Sequence, residues 1–173
     1  MRSSIFFLLI VAGISGCSNE PAVEKEPEIN WTKENSTAMS KNIAEQEEID
    51  INLYLGMRKS WKMTKTGSGL RYYIYENGEG ESPVAGDIVQ IEYKISLLDG
   101  TECYKTAADE FEELLVDKSN VETGIQEGLK KMKVGDKAKL IVPSHLGHGL
   151  IGDMDKIPPL NTLVIDVHLL GIK

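Results

Sequence analysis

The chain has 173 residues and carries 19 Lys and Arg against 27 Asp and Glu, a net charge of −8 at pH 7. That length fits one domain plus an appendage, and the acidic balance argues against nucleic acid, whose phosphates would repel it. With only two cysteines, Cys17 and Cys103, the fold is not a disulfide scaffold and is held by its own core, for which 41% hydrophobic residues suffice.

The first element is an export signal. Met1 and Arg2 give a basic start, residues 5–11 (Ile-Phe-Phe-Leu-Leu-Ile-Val) are unbroken apolar, and small residues lead into Ile14-Ser15-Gly16-Cys17. This is the layout of a secretory signal, and the apolar run falls short of the about 20 residues a bilayer span needs. The Ile-Ser-Gly-Cys end resembles the lipobox of bacterial lipoproteins. The resemblance implies cleavage after Gly16, a diacylglyceryl thioether on Cys17, and a mature chain of charge −9 anchored in a bacterial cell envelope. Ser18 is not acidic, which fits an outer-membrane lipoprotein facing the periplasm. With Cys17 acylated, Cys103 has no intramolecular disulfide partner.

Residues 17–35 are polar and acidic, with Pro21 and Pro27, and read as a flexible tether. Trp31, the one large aromatic there, is placed equally well against the domain or against lipid headgroups. Residues 36–59 lack proline, and Met39, Ile43, Leu53 and Met57 recur at helical intervals. The spacing predicts a helix packed on its own domain, with Asn42 and Glu45 as a capping pair. The helical extension runs over 36–66.

Strands follow. Residues 70–75 form one, closed by Asn77-Gly78. The clearest is 89–97, where Val89, Ile91, Tyr93, Ile95 and Leu97 alternate with polar residues, giving one buried and one wet face. Asp99-Gly100 makes a hairpin, 101–105 the return strand and 111–116 a further short one. Residues 124–133 make a short helix with Ile125, Leu129 and Met132 inward and Lys130, Lys131 and Lys133 outward. Ala138, Leu140 and Val142 alternate up to Pro143. Residues 144–159, rich in Gly, Pro and His, form a long loop, and 163–169 alternate again. Antiparallel strands with one short helix make an α+β domain over 67–173.

The order of these pieces is recognisable. Gly86-Asp87-Ile88-Val89 through Tyr93 to Leu98-Asp99-Gly100, Val121 with Gly124-Ile125-Gln126-Glu127-Gly128-Leu129, Met132-Lys133-Val134-Gly135, Leu140-Ile141-Val142-Pro143-Ser144 with Gly149, and Ile157-Pro158-Pro159 with Thr162-Leu163-Val164-Ile165-Asp166-Val167 resemble FKBP-type peptidyl-prolyl cis-trans isomerases. The resemblance implies an antiparallel sheet wrapped round one short helix, with the site between them. It also implies rotation about Xaa–Pro bonds of proline-containing protein substrates, a reaction that requires no nucleophile, metal or cofactor.

The family site, carried over by position, places Tyr93 at the pocket rim and His148 where a tyrosine would donate to the substrate carbonyl, as the catalytic pair. The remaining pocket is Cys103, Tyr104, Phe111, Val121, Glu122, Ile125, Ile157 and Ile165. Ile125, Cys103 and Ile165 stand where aromatics are usual, Tyr104 where an aspartate is, and Glu122 where an isoleucine follows Val121. The lining is therefore less aromatic and the pocket larger or softer. A hydrophobic residue before the proline is expected of the substrate. His145 and His148, three apart, show no third ligand at an obvious spacing, so no metal is assigned.

The whole layout, from lipobox to domain, resembles the gliding-motility-associated isomerase lipoproteins. It implies an isomerase assisting the folding of exported envelope proteins. The competing reading is a weakly catalytic or non-catalytic chaperone or binding module of a motility or secretion assembly.

Overall fold

The structure, a computed structural model, describes residues 32–118 and 121–173. The signal, Cys17, most of the tether and Trp31 lie outside the described residues. Within them the order is α1 (Lys33–Gly56), β1 (Thr64–Lys65), β2 (Arg71–Glu76), β3 (Ile88–Leu97), β4 (Glu102–Lys105), β5 (Glu112–Leu115), α2 (Thr123–Leu129), β6 (Lys137–Val142) and β7 (Leu163–Ile172), with a 3-10 turn at Ser144–Leu146.

The strands make one antiparallel sheet in the order β1-β2-β6-β7-β3-β4, and β5 also pairs with β3. Two strands of ten residues, β3 and β7, form its spine, with Tyr93 opposite Val167 and Ile95 opposite Ile165. The alternation of β3 holds: Val89, Ile91, Ile95 and Leu97 are buried. They join Leu129, Met132, Leu140, Leu163 and Leu169 in the main core, and the sheet curls round α2. At the β3–β4 hairpin Gly100 has φ +94°, a conformation that favours glycine.

Helix α2 lies close on β6. A Cβ at Gly124 would meet Val142 Cγ1 at 2.4 Å, and one at Gly128 would meet Leu140 Cδ1 at 2.6 Å. Glycine at these positions lets the helix backbone approach the sheet. The helix is shorter than expected, ending at Leu129 rather than 133. Lys130, Lys131 and Lys133 are exposed.

Helix α1 differs from expectation at its start. It begins at Lys33, inside the expected tether, and its cap is Thr32, whose Oγ1 accepts from Asn35 N at 3.2 Å. Asn42 and Glu45 lie within the helix and cap nothing. A Thr side chain satisfies one of the free N–H groups at a helix start just as a capping pair would.

The C-terminal half of α1 docks on the face of the sheet away from α2. Ile51 and Tyr54 pack with Ile141 and Val164 in a second core cluster, bordered by Trp61 and Met63. Two adjacent carboxylates fix the helix. Glu47 accepts from Ser144 N at 2.6 Å and from Thr162 Oγ1 at 2.6 Å. Glu48 pairs with buried Arg71 at 2.5 Å and with Lys65 at 3.0 Å.

Candidate active site

Between α2 and the concave face of the sheet lies a cavity of about 310 Å³. Its floor and walls are Ile91, Ile95, Leu114, Val121, Ile125, Ile165 and Val167; its mouth carries Tyr93, Tyr104, Glu112, Glu122, His148 and Asp153. The apolar set follows from strand alternation. Ile91, Tyr93 and Ile95 share one face of β3, Ile165 and Val167 one face of β7. Ile125 comes from the first turn of α2 and is buried.

Seven of the residues expected from sequence are brought together here: Tyr93, Tyr104, Val121, Glu122, Ile125, His148 and Ile165. Three are not. Phe111 precedes β5 and is 49% exposed; the pairing of β5 with β3 sets Ile91 opposite Glu112 and Val89 opposite Leu114, so Glu112 and Leu114 take the pocket face instead. Cys103 is buried in the main core behind the pocket, its thiol 3.6 Å from the Lys156 carbonyl, and burial pushes that thiol up from its usual range. Ile157 is also core, 2% exposed, and anchors the loop rather than lining the cavity.

Residues 144–162 roof the site. Asp153 organises this segment: its Oδ1 accepts from Asp155 N at 2.9 Å and Ile157 N at 2.8 Å, and its Oδ2 accepts from Tyr104 Oη at 2.5 Å. These bonds hold Met154 at φ 63°, a left-handed conformation that costs a non-glycine residue about 1–3 kcal/mol. Burial raises the Asp153 pKa, but the Tyr104 hydroxyl, the two backbone N–H groups and His148 outweigh it and hold the carboxyl down at about 2. Reciprocally, the bond to Asp153 is the main cause that raises the Tyr104 hydroxyl to about 12. Sequence reasoning missed Asp153. Its signal was present, since Asp two and four residues before bonded backbone groups is a common loop-organising device.

Tyr93 and His148, the expected catalytic pair, both line the mouth, each with one polar atom engaged. Tyr93 Oη donates to Glu112 Oε1 at 2.8 Å, and burial followed by that bond pushes its hydroxyl well above the usual range. His148 Nε2 lies 2.5 Å from Glu122 Oε1. His145 is turned elsewhere, its Nε2 at 2.9 Å from the Ser68 carbonyl. Among the described residues no group of three or more His, Cys, Asp or Glu is placed to hold a metal. The site offers an apolar hollow with a hydrogen-bonding rim, able to bind and orient a small apolar group beside a polar backbone.

Comparison with known proteins agrees with this geometry. Residues 79–170 match the family described as FKBP-type peptidyl-prolyl cis-trans isomerase. The FKBP-type peptidyl-prolyl cis-trans isomerase FkpA of Escherichia coli strain K12 is 34% identical over 173 residues, covering 95% of this chain and 63% of that protein. The FKBP-type 22 kDa peptidyl-prolyl cis-trans isomerase of the same organism is 36% identical over 110 residues, 64% of this chain and 53% of its own. A crystal structure of FkpA from Escherichia coli superposes with a TM-score of 0.66 at 35% identity, over 80% of this chain and 64% of that one. A peptidyl-prolyl isomerase structure from Pseudomonas syringae shares the fold, with a TM-score of 0.64 at 22% identity over 78% of this chain and 96% of its own. The chain thus spans under two thirds of the length of the FkpA protein it matches.

Proposed function

The chain belongs to the FKBP-type peptidyl-prolyl cis-trans isomerase family, and from that premise we propose that its cavity binds Xaa–Pro segments of unfolded proteins and accelerates their cis–trans rotation. An Xaa–Pro bond crosses a barrier of about 18–20 kcal/mol because planarity reflects amide resonance, and unaided it takes tens to hundreds of seconds. The observation that carries the reading is the apolar hollow floored by Ile125 and Ile165 under a fixed roof. Such a hollow accepts the pyrrolidine ring and removes water from the amide. A twisted amide has lost part of its resonance and its charge separation, so an apolar wall suits it better than either planar form; that difference lowers the barrier. Tyr93 shapes the rim. His148 holds Glu122 through Nε2; with that nitrogen protonated, Nδ1 donates to a substrate carbonyl only when the ring is doubly protonated, and otherwise accepts from a substrate N–H.

The reading extends to place and purpose. The Ile14-Ser15-Gly16-Cys17 end supports an acylated Cys17 and a membrane anchor in a bacterial envelope. The overall layout supports exported, motility-associated proteins as clients. A second reading, a weakly catalytic holding module, is favoured by Leu150, Ile151 and Met154, which are 72%, 65% and 87% exposed on the same loop that supplies His148 and Asp153 to the cavity mouth. Exposed apolar side chains on one loop suit capture of unfolded chain.

The deciding experiment is refolding of a proline-limited protein in the presence of residues 18–173. Acceleration of the slow phase at substoichiometric amounts supports the isomerase. Binding of the unfolded protein with the slow phase unchanged supports the holding module instead.

A further inference from the structure

The cavity has an apolar floor but an acidic mouth. Glu112, Glu122 and Asp153 line it, and among the described residues no Lys or Arg does. These carboxylates come from β5, the N-terminal end of α2 and the roof, and they converge on one opening. Two of them are held by neutral donors, Tyr93 Oη at 2.8 Å from Glu112 and Tyr104 Oη at 2.5 Å from Asp153. A hydroxyl donor orients a carboxylate without cancelling its charge.

The positive groups nearby are few. His148 lies against Glu122, and Lys156, which does not line the cavity, has its Nζ 4.7 Å from the centre of the Tyr104 ring. With both of them charged, three carboxylates still face two cations, and with His148 neutral the imbalance grows.

We infer that the substrate segment of this pocket carries a basic residue, Lys or Arg, directly beside its proline. The proline ring fills the floor over Ile125 and Ile165, and the neighbouring cation reaches the carboxylates of the mouth. A Lys or Arg stem can lie along Leu114 and Ile91 while its charged end stays at the rim. A purely apolar neighbour would instead cover Glu112 and Glu122 with hydrocarbon and remove their water without replacing it. The inference deepens the isomerase reading and rests on it, and it runs against the hydrophobic neighbour expected from the sequence.

The test uses the full chain and Ala-Xaa-Pro-Phe peptides with Xaa as Lys, Leu or Glu, measuring both isomerisation rate and equilibrium binding. The Lys peptide is expected to exceed the Leu peptide by about two- to fivefold in kcat/KM and in affinity, with the Glu peptide weakest. The advantage should shrink as salt is raised through about 0.5 M, since the rim is open to solvent. Glu112→Gln, which keeps the acceptor for Tyr93, should bring the Lys-to-Leu ratio toward one. Isomerisation without a Lys preference overturns the inference and leaves the isomerase reading standing. A Lys preference in binding without isomerisation does the reverse. A Lys preference unmoved by salt and by Glu112→Gln would show that the carboxylates are not its source, and overturns the inference. No binding and no turnover of any peptide overturns both.

Discussion

The Tyr104 hydroxyl donates to Asp153 Oδ2 at 2.5 Å, which ties the strand after the hairpin to the roof of the cavity. Asp153 is thereby the acceptor at the centre of the roof. Its carboxyl is held down at about 2, against the ordinary 3.8. A carboxyl depressed in the folded state stabilises it fully above its unfolded pKa and loses that contribution as pH falls through the folded one. The roof should therefore be at full strength above about pH 5 and weaken below pH 4, toward about pH 2. Carbon-detected NMR titration should place Asp153 near the low value. Tyr104→Phe should move it upward; an unmoved titration would mean that the hydroxyl is not what holds it.

Docking of α1 should contribute measurably to stability. Glu47→Ala strands the buried Ser144 N–H and the Thr162 hydroxyl and should cost about 1–3 kcal/mol. Ile51→Ala opens a cavity against Ile141 and Val164 and should cost about 2–4 kcal/mol. Removing residues 18–31 should change neither value. Urea denaturation of the three variants separates these cases.

The approach of α2 to β6 should tolerate change unevenly. A methyl at Gly124 meets Val142, whose β-branched side chain has little freedom to turn aside. A methyl at Gly128 meets the more adaptable end of Leu140. Gly124→Ala should therefore destabilise by about 1–3 kcal/mol. Gly128→Ala should cost less, because the gain in helix propensity of about 1 kcal/mol offsets part of the clash. Equal losses in calorimetry would show that the helix shifts as a body.

Tyr93 supplies both a wall and a hydroxyl to the rim. Tyr93→Ala should lower kcat/KM for a proline peptide roughly tenfold, through the lost ring contact. Tyr93→Phe keeps the ring and should lower it much less. A larger loss for Phe than for Ala would make the hydroxyl, and not the wall, the important part.

Membrane attachment should reside in Cys17. Cys17→Ser should move the protein from the membrane fraction to the soluble one, because acyl chains supply the anchoring. Among the described residues no helix is long and apolar enough to cross a membrane. Full membrane retention of the Cys17→Ser protein would refute acylation as the anchor.

The sheet was legible because its strands alternate: Val89 to Leu97 and the residues after Thr162 announce a buried face without further help. The N-terminal helix and its packing on the domain were legible too, but not the face it packs with: Met39, Leu53 and Met57 are exposed, and the buried pair is Ile51 and Tyr54. Its other anchors are carboxylates whose partners lie 97 and 115 residues away for Glu47. Nothing local marks such pairs. The pocket was legible where side-chain type and strand phase agree, as at Tyr93, Ile125 and Ile165. It was misread at Phe111, where an aromatic residue drew attention while strand phase favoured Glu112. Asp153 carries a local signal in its bonds two and four residues on, but its place at the site depends on Tyr104, 49 residues earlier.

Glu47 grips Ser144 and Thr162 together, the first and last residues of the roof. In terms of chain entropy this carboxylate closes a loop whose span is then fixed by the helix rather than by the loop's own sequence. Lengthening a closed loop is cheap, about 0.6 kcal/mol for each doubling. Residues near Leu150 and Ile151, at the exposed tip, can therefore be exchanged or extended while both feet of the roof stay in place, without rebuilding the domain.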